Sequence, residues 1–409
     1  MTWLTKSSNP RPPAAEQTAG GHAIPLSVPE LGGREWEYLK ECLDTDWVSS
    51  AGPFVERFER MVASFVGAHH AVATASGTAA LHVALLVAGV QPEEEVLVST
   101  LSFIAPANAI RYVGAWPVFI DADPKTWQMD PARVEELLVR RCRRRSGALI
   151  NRASGRRVRA ILPVHILGHP CDMDPLVELA RRYDLLVIED ATESLGAVYR
   201  GRRIGTLGDA ACFSFNGNKI VTTGGGGMLV TDNLRWAERA RYLTTQAKDD
   251  PIESIHRDIG YNYRLTNLQA ALGCAQLERL EGHIAAKRRI ARTYAEAFAD
   301  VPGISVMPEA SWASSIFWLY TILVEAAGFG MGSRALREAL AQSGIETRPL
   351  WQPLHRSPAH RGSEAVGGGT AKRLVASALS LPSSVGLRDA DQRRVIDQIL
   401  QAAAQLEAA

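Results

Sequence analysis

An alternation constrains this chain more than any other feature. From about residue 70 onward, short apolar runs and amphipathic stretches follow one another in turn. His70-Ala71-Val72-Ala73-Thr74 reads as a strand, and a helical pattern follows with Ala80, Leu81, Ala84, Leu85 and Ala88 on one face. Val96-Leu97-Val98-Ser99, a helix after Ser102, Trp116-Pro117-Val118-Phe119-Ile120, and runs at 159–164, 185–189 and 227–231 continue the series. Such alternation predicts a mainly parallel sheet covered by helices, since parallel strands need long crossover connections. From Leu265 to about Ala299 there is no proline, and long helix is expected despite Gly273 and Gly282. That helix is expected to lead into a smaller C-terminal domain. The 409 residues are enough for two domains. The expected division is a mobile, Pro-rich tail over 1–22, a large domain over 23–275 and a small one over 276–409.

Lys+Arg 45 against Asp+Glu 44 leaves a formal charge of +1, so no global field favours nucleic acid or an anionic membrane. No apolar run approaches the roughly 20 residues needed to span a bilayer. The polar N-terminal stretch has no secretory h-region. The five cysteines, Cys42, Cys142, Cys171, Cys212 and Cys274, include no CxxC pair. This pattern predicts a reduced, cytoplasmic setting and no structural metal. One segment is unusually basic: Arg140, Arg141, Arg143, Arg144 and Arg145, then Arg152, Arg156, Arg157 and Arg159. It could attract an anionic nucleotide, but charge runs are usually solvent-facing, and a solvated helix end plus a hairpin turning at Ala153-Ser154-Gly155 is the expected reading.

One lysine stands apart within this frame. Lys219 ends the stretch Phe213-Ser214-Phe215-Asn216-Gly217-Asn218-Lys219, and Gly224-Gly225-Gly226-Gly227-Met228 follows. Upstream, the apolar run Leu185-Leu186-Val187-Ile188 ends in Glu189-Asp190. A lysine fixed in a small-residue turn can form a Schiff base with an aldehyde. An acid at the end of a buried strand can pair with a pyridinium nitrogen. Together these are what a protein contributes to pyridoxal phosphate (PLP) chemistry. Taken singly, each is weak: a lysine among glycines is usually a loop residue, and an Asp after a strand is often a helix cap.

The rest of the cofactor also finds partners. Ser76-Gly77-Thr78 lies between a strand and a helix, where backbone N–H groups and the Thr78 hydroxyl suit a phosphate, although an ordinary helix cap would look the same. Ser214 offers a second hydroxyl. Phe103 follows a strand end and could stack on a ring, or simply pack in the core. Glu193, one helical turn after Asp190, could reach a phenolic oxygen. There is no GxxxxGK[ST] motif, and the glycines after Lys219 do not follow the GxGxxG plan, so neither a P-loop nor NAD is indicated.

Four stretches in this order resemble the DegT/DnrJ/StrS family of PLP-dependent nucleotide-sugar aminotransferases: Ala75-Ser76-Gly77-Thr78-Ala79-Ala80-Leu81, Glu189-Asp190-Ala191-Thr192-Glu193-Ser194, the segment 213–219, and Gly260-Tyr261-Asn262-Tyr263-Arg264. The resemblance runs from about Pro25 to the C-terminus. It implies PLP-dependent transferase fold type I (aspartate-aminotransferase-like), an α/β fold with a mainly parallel central sheet and a smaller C-terminal α/β domain. It further implies that Lys219 is the Schiff-base lysine and that Asp190 pairs with the pyridinium. Glu193 would approach the phenolic oxygen, Gly77, Thr78 and Ser214 would hold the phosphate, and Phe103 would stack on the ring. Asn262 would reach the phosphate from a neighbouring subunit, which implies a homodimer with shared active sites. Arg348-Pro349-Leu350-Trp351-Gln352-Pro353-Leu354-His355 resembles the family's substrate-side loop, making Arg348 and His355 candidates for substrate contact, and Lys248 is a further candidate for sugar or diphosphate contact.

A narrower resemblance is to the LegC branch. It rests on Asp46-Trp47-Val48-Ser49-Ser50, His165-Ile166-Leu167-Gly168-His169-Pro170-Cys171-Asp172-Met173-Asp174, and the stretch at 243–251. It implies amino transfer from L-glutamate to C4 of a UDP-linked 4-keto-6-deoxy-N-acetylhexosamine, in bacillosamine or legionaminic acid-type biosynthesis. A GDP- or dTDP-linked keto sugar is the alternative acceptor. A sugar dehydratase is disfavoured because relatives of that kind carry histidine where this chain has Lys219. A non-catalytic sugar-nucleotide binder is disfavoured by the intact set of Lys219, Asp190 and Ser214.

Overall fold

A computed structural model describes residues 22–250 and 252–407. Except for His22, the expected tail lies outside the described residues.

Eight strands form the central sheet: β1 (His70–Thr74), β2 (Glu95–Ser99), β3 (Trp116–Ile120), β4 (Val158–Leu162), β5 (Leu186–Asp190), β6 (Ala210–Ser214), β7 (Gly227–Thr231) and β8 (Ala365–Val366). Their order is β1-β7-β6-β5-β4-β2-β3-β8. All neighbouring pairs run parallel except those made by β7, which is antiparallel to β1 and to β6. The expected mainly parallel α/β sheet is therefore present. Its inner strands are buried on both faces, as strands covered by helices must be. Two buried clusters result. One, with Val72, Leu81, Leu85, Val98 and Ile188, packs beneath the helix Gly77–Val87. The other contains Phe58, Phe213 and Phe215, and it continues into the C-terminal part through Tyr294, Tyr320, Leu336 and Val395.

Two details depart from expectation. The stretch at 265–299 is two helices, Asn267–Leu277 and Leu280–Phe298. Neither glycine makes the break. It falls at Glu278-Arg279, where Glu278 accepts hydrogen bonds from the Tyr38 hydroxyl (2.7 Å) and from Arg57 (2.9 Å). The expected boundary between 275 and 276 lies inside the first of these helices, and we propose the break itself as the division. The long helix then leads to a three-stranded sheet of Ile304–Ser305, Tyr320–Val324 and Ala378–Leu381, flanked by the helices Ser333–Gln342 and Asp389–Glu407. The basic segment does form a hairpin, Cys142–Arg145 against Ala148–Asn151, but it turns at Ser146-Gly147, both at positive φ (49° and 78°). The 152–155 stretch is a second turn that leads toward β4. Arg141 pairs with Glu136 and Glu364, Arg156 with Glu93, and Arg157 with Glu94.

Candidate active site

Parallel sheets present their strand ends to ligands, and the site forms there. β5 ends in Glu189 and Asp190, whose side chains point to opposite faces of the sheet. Glu189 faces inward and is saturated: it accepts from the N–H groups of Gly205, Leu207 and Gly208 and bonds the ring of His165. Asp190 faces a cavity of about 430 Å³. One of its oxygens accepts the Thr192 N–H at 3.1 Å.

Gly77, Thr78, Phe103, Glu193, Ser214 and Lys219 line the same cavity, so seven of the residues singled out in the sequence converge there. Gly77 and Thr78 open the helix Gly77–Val87, whose first N–H groups have no intrahelical acceptor. Ser76 caps that helix by accepting the Ala79 N–H at 3.0 Å. Phe103 is 53% exposed, which sets aside the core-packing alternative. Lys219 follows β6 in a turn closed by its own N–H on the Asn216 carbonyl at 2.9 Å. Its Nζ lies 3.7 Å from Glu193 Oε1. The other Glu193 oxygen accepts the Leu167 N–H at 2.7 Å.

The electrostatics follow from burial. Loss of water pushes the Lys219 ammonium below the ordinary lysine range, while the carboxylates of Glu193 and Asp190 oppose the shift. Burial pushes Asp190 and Glu193 upward, opposed for Asp190 by Thr192 and Lys219 and for Glu193 chiefly by Lys219.

These residues fit PLP. Asp190 is a buried acid that forms no ion pair among the described residues, suited to a protonated ring nitrogen. A Cβ added at Gly77 would lie 2.8 Å from Ser214 Cβ, so the approach between helix start and Ser214 tolerates only glycine. The free N–H groups there, with the Thr78 and Ser214 hydroxyls, suit a phosphate. Among the described residues, no group of three or more His, Cys, Asp or Glu could hold a metal ion.

Four other candidates lie elsewhere. Lys248 and Asn262 are exposed and line a separate cavity with Ser50, Gln246, His256 and Arg264. Arg348 lines a third cavity, which shares Asn218, Trp318 and Trp351 with the main one, and pairs with Glu346 at 2.8 Å. His355 lines none of these cavities; its Nδ1 lies 2.7 Å from Thr100 Oγ1. Conversely, Trp318 and Trp351 wall the main cavity without having been singled out. Trp351 sits inside the stretch quoted for its resemblance, which was its available signal. Trp318 had none.

Comparison with known proteins agrees with this geometry. Residues 29–400 match the DegT/DnrJ/EryC1/StrS aminotransferase family. The GDP-perosamine synthase of Caulobacter vibrioides is 41% identical over 387 residues, covering 92% of this chain and 98% of that protein. The GDP-perosamine synthase of Escherichia coli O157:H7 is 40% identical, covering 82% and 86%. Among solved structures, DesI in the presence of its TDP-sugar product superposes with a TM-score of 0.84 at 32% identity, covering 97% of this chain and 96% of that one. The chain belongs to the DegT/DnrJ/EryC1/StrS aminotransferase family. It is a PLP-dependent sugar aminotransferase of fold type I.

Proposed function

We propose that this member of the family moves the amino group of L-glutamate to C4 of a nucleotide-linked 4-keto-6-deoxy sugar. The observation that carries the reading is the convergence of Lys219, Asp190 and the Gly77-Thr78-Ser214 cradle on one cavity. When bound, PLP supplies an electron sink for charge developing on the carbon that exchanges its proton. Gly77, Thr78 and Ser214 would hold its phosphate, Phe103 would stack on its ring, and Asp190 would keep its ring nitrogen protonated. Lys219 moves the proton at the reacting carbon, a general acid–base role that a lysine shifted toward neutrality by burial can fill.

The enzyme acts as a homodimer in this reading. Within one chain Asn262 and Lys248 line a cavity other than that of Lys219, and in this reading they reach the partner's site instead. Exposed large apolar side chains support the interface: Trp36, Leu43, Trp47 and Val48 in one run, and Ile252, Ile255 and Ile259 beside the Lys248 cavity. The five cysteines are free and buried, in keeping with a cytoplasmic setting. No described helix is long and apolar enough to cross a membrane.

For the acceptor, the stretch at 243–251 supports a UDP-linked N-acetylhexosamine. The GDP-perosamine synthases named above, one matching over 98% of its length, favour a GDP-linked sugar as a second reading. Comparing kcat/KM for UDP-, GDP- and dTDP-linked 4-keto-6-deoxy sugars decides between them, because specificity is a ratio of those values. A higher value with the UDP-linked sugar is expected, and a higher value with the GDP-linked sugar overturns the first reading in favour of the second.

A further inference from the structure

Lys219 must be free during part of the proposed cycle, and a free lysine beside a reactive centre needs a defined resting place. Its Nζ sits 3.7 Å from Glu193 Oε1 and 3.7 Å above the centre of the Trp318 ring. Asp190 is the other charged group that reaches it. An acid on one side and an aromatic face on the other attract an ammonium, and both are stronger where water is excluded.

The two partners are not independent. Trp318 is held through its indole N–H on the Asn218 carbonyl at 2.8 Å and its backbone N–H on the Leu167 carbonyl at 2.9 Å. Its ring stacks on Trp351 at 6.4 Å. Glu193 is held by the Leu167 N–H. One residue, Leu167, therefore fixes the acid with its N–H and the Trp318 backbone with its carbonyl. It does so from an unfavourable conformation, φ 59° and ψ 15°, which a fully buried leucine rarely adopts. The next residue keeps it there: the Gly168 carbonyl accepts from the Ile316 N–H and the Ser315 hydroxyl, both at 3.0 Å. A Cβ on Gly168 would lie 2.8 Å from the Trp318 nitrogen.

We propose that Glu193 and Trp318 form a berth for the free Lys219 ammonium, and that the strained turn Ile166–Gly168 sets its geometry. The inference rests on Lys219 being the lysine that bonds the cofactor. Glu193 and Trp318 are positioning residues in this scheme. They hold the amine within reach of the reacting carbon, and by favouring free, charged lysine they tilt the amino-donor half-reaction toward its amino form.

The test begins with the cofactor-free protein. The pH dependence of Lys219 labelling by an amine acylating reagent, followed by peptide mass analysis, reports how strongly the charged form is held. Glu193→Gln and Trp318→Leu should each lower the labelling midpoint by about one pH unit, a roughly tenfold change. Trp318→Phe, which keeps a ring face, should restore most of it. Gly168→Ala, whose Cβ would press on the Trp318 backbone nitrogen, should lower it while leaving both partner side chains chemically unaltered. Loss of packing alone would reduce thermal stability and leave the midpoint in place. In the holoenzyme, the colour-monitored equilibrium with L-glutamate and 2-oxoglutarate should shift about tenfold away from the amino form in Glu193→Gln, the equivalent of one pH unit of lost charge interaction. An unchanged midpoint in both Glu193→Gln and Trp318→Leu overturns the berth. Wild-type holoenzyme that does not change colour with glutamate overturns the donor assignment instead, while the labelling result stands.

Discussion

The Lys219 cavity and the Lys248–Asn262 cavity differ in how they are built. The first is walled by strand ends, a helix start and two tryptophans, and Asp190, Glu193 and Lys219 are nearly or largely withdrawn from solvent. The second is an open groove in which both candidate residues are exposed, bordered by a short hairpin of Lys248–Asp250 and Ile255–His256. Chemistry demands low dielectric and fixed geometry, which a rigid sheet provides. Recognition of a variable sugar nucleotide tolerates surface segments, which a second subunit can cover. One chain thus gathers the groups proposed for the chemistry in a single cavity, whereas in our reading Asn262 and Lys248 of a second chain complete the phosphate and substrate contacts.

That contrast can be attacked from its strongest side first. Lys219→Ala should lower turnover by about 10²–10⁴-fold, the usual contribution of a positioned acid–base group, with more lost if covalent attachment also matters. Borohydride reduction of the wild-type holoenzyme should place the pyridoxyl group on Lys219, and a label on another lysine removes it from the role. Asp190→Asn should retain PLP through the phosphate contacts yet lose at least about 10²-fold in kcat, since the neutral amide no longer holds the ring proton. Near-wild-type kcat in that variant would show that Asp190 is not the partner of the ring nitrogen.

The shared-site half of the comparison is sharpened by mixed dimers. Lys219→Ala and Asn262→Asp, made in separate chains and each inactive or nearly so, should together yield one working site of two when paired by different affinity tags. The aspartate is chosen because its charge would face a phosphate. No recovery, with dimerisation and PLP binding confirmed, means that Asn262 does not serve the partner's Lys219. The smallest effect is expected at Lys248. Lys248→Ala should raise KM for the sugar nucleotide by about tenfold, in keeping with one lost charge-assisted contact, and leave kcat nearly unchanged. A fall in kcat with constant KM would move Lys248 from recognition to chemistry.

Much of the cofactor side was legible beforehand because its signals are local. Strand runs such as 70–74, 116–120 and 227–231 coincide with observed strands, since burial on both faces demands uninterrupted apolar residues. Asp190 and Ser214 end strands, and Gly77 and Thr78 start a helix, so local pattern placed each near a sheet edge. The helix break at Glu278-Arg279 carried no such mark. It sits where Tyr38 and Arg57, far away in the chain, converge on Glu278. His355 is a polar residue in a suggestive stretch that the fold turns toward Thr100, a contact no local pattern announced.

The alternation of strand and helix, and the order of lysine, acid and hydroxyl residues along it, already determined an α/β enzyme that handles PLP. Those features depend on neighbours a few residues apart, where periodicity and chemistry are written directly in the chain. Only the tertiary structure brought Trp318 over Lys219, bent Leu167 to hold both Trp318 and Glu193, and left Lys248 and Asn262 on a different surface from the chemistry. Each of these joins segments distant in sequence, and such contacts arise from packing the whole core, which no local pattern encodes.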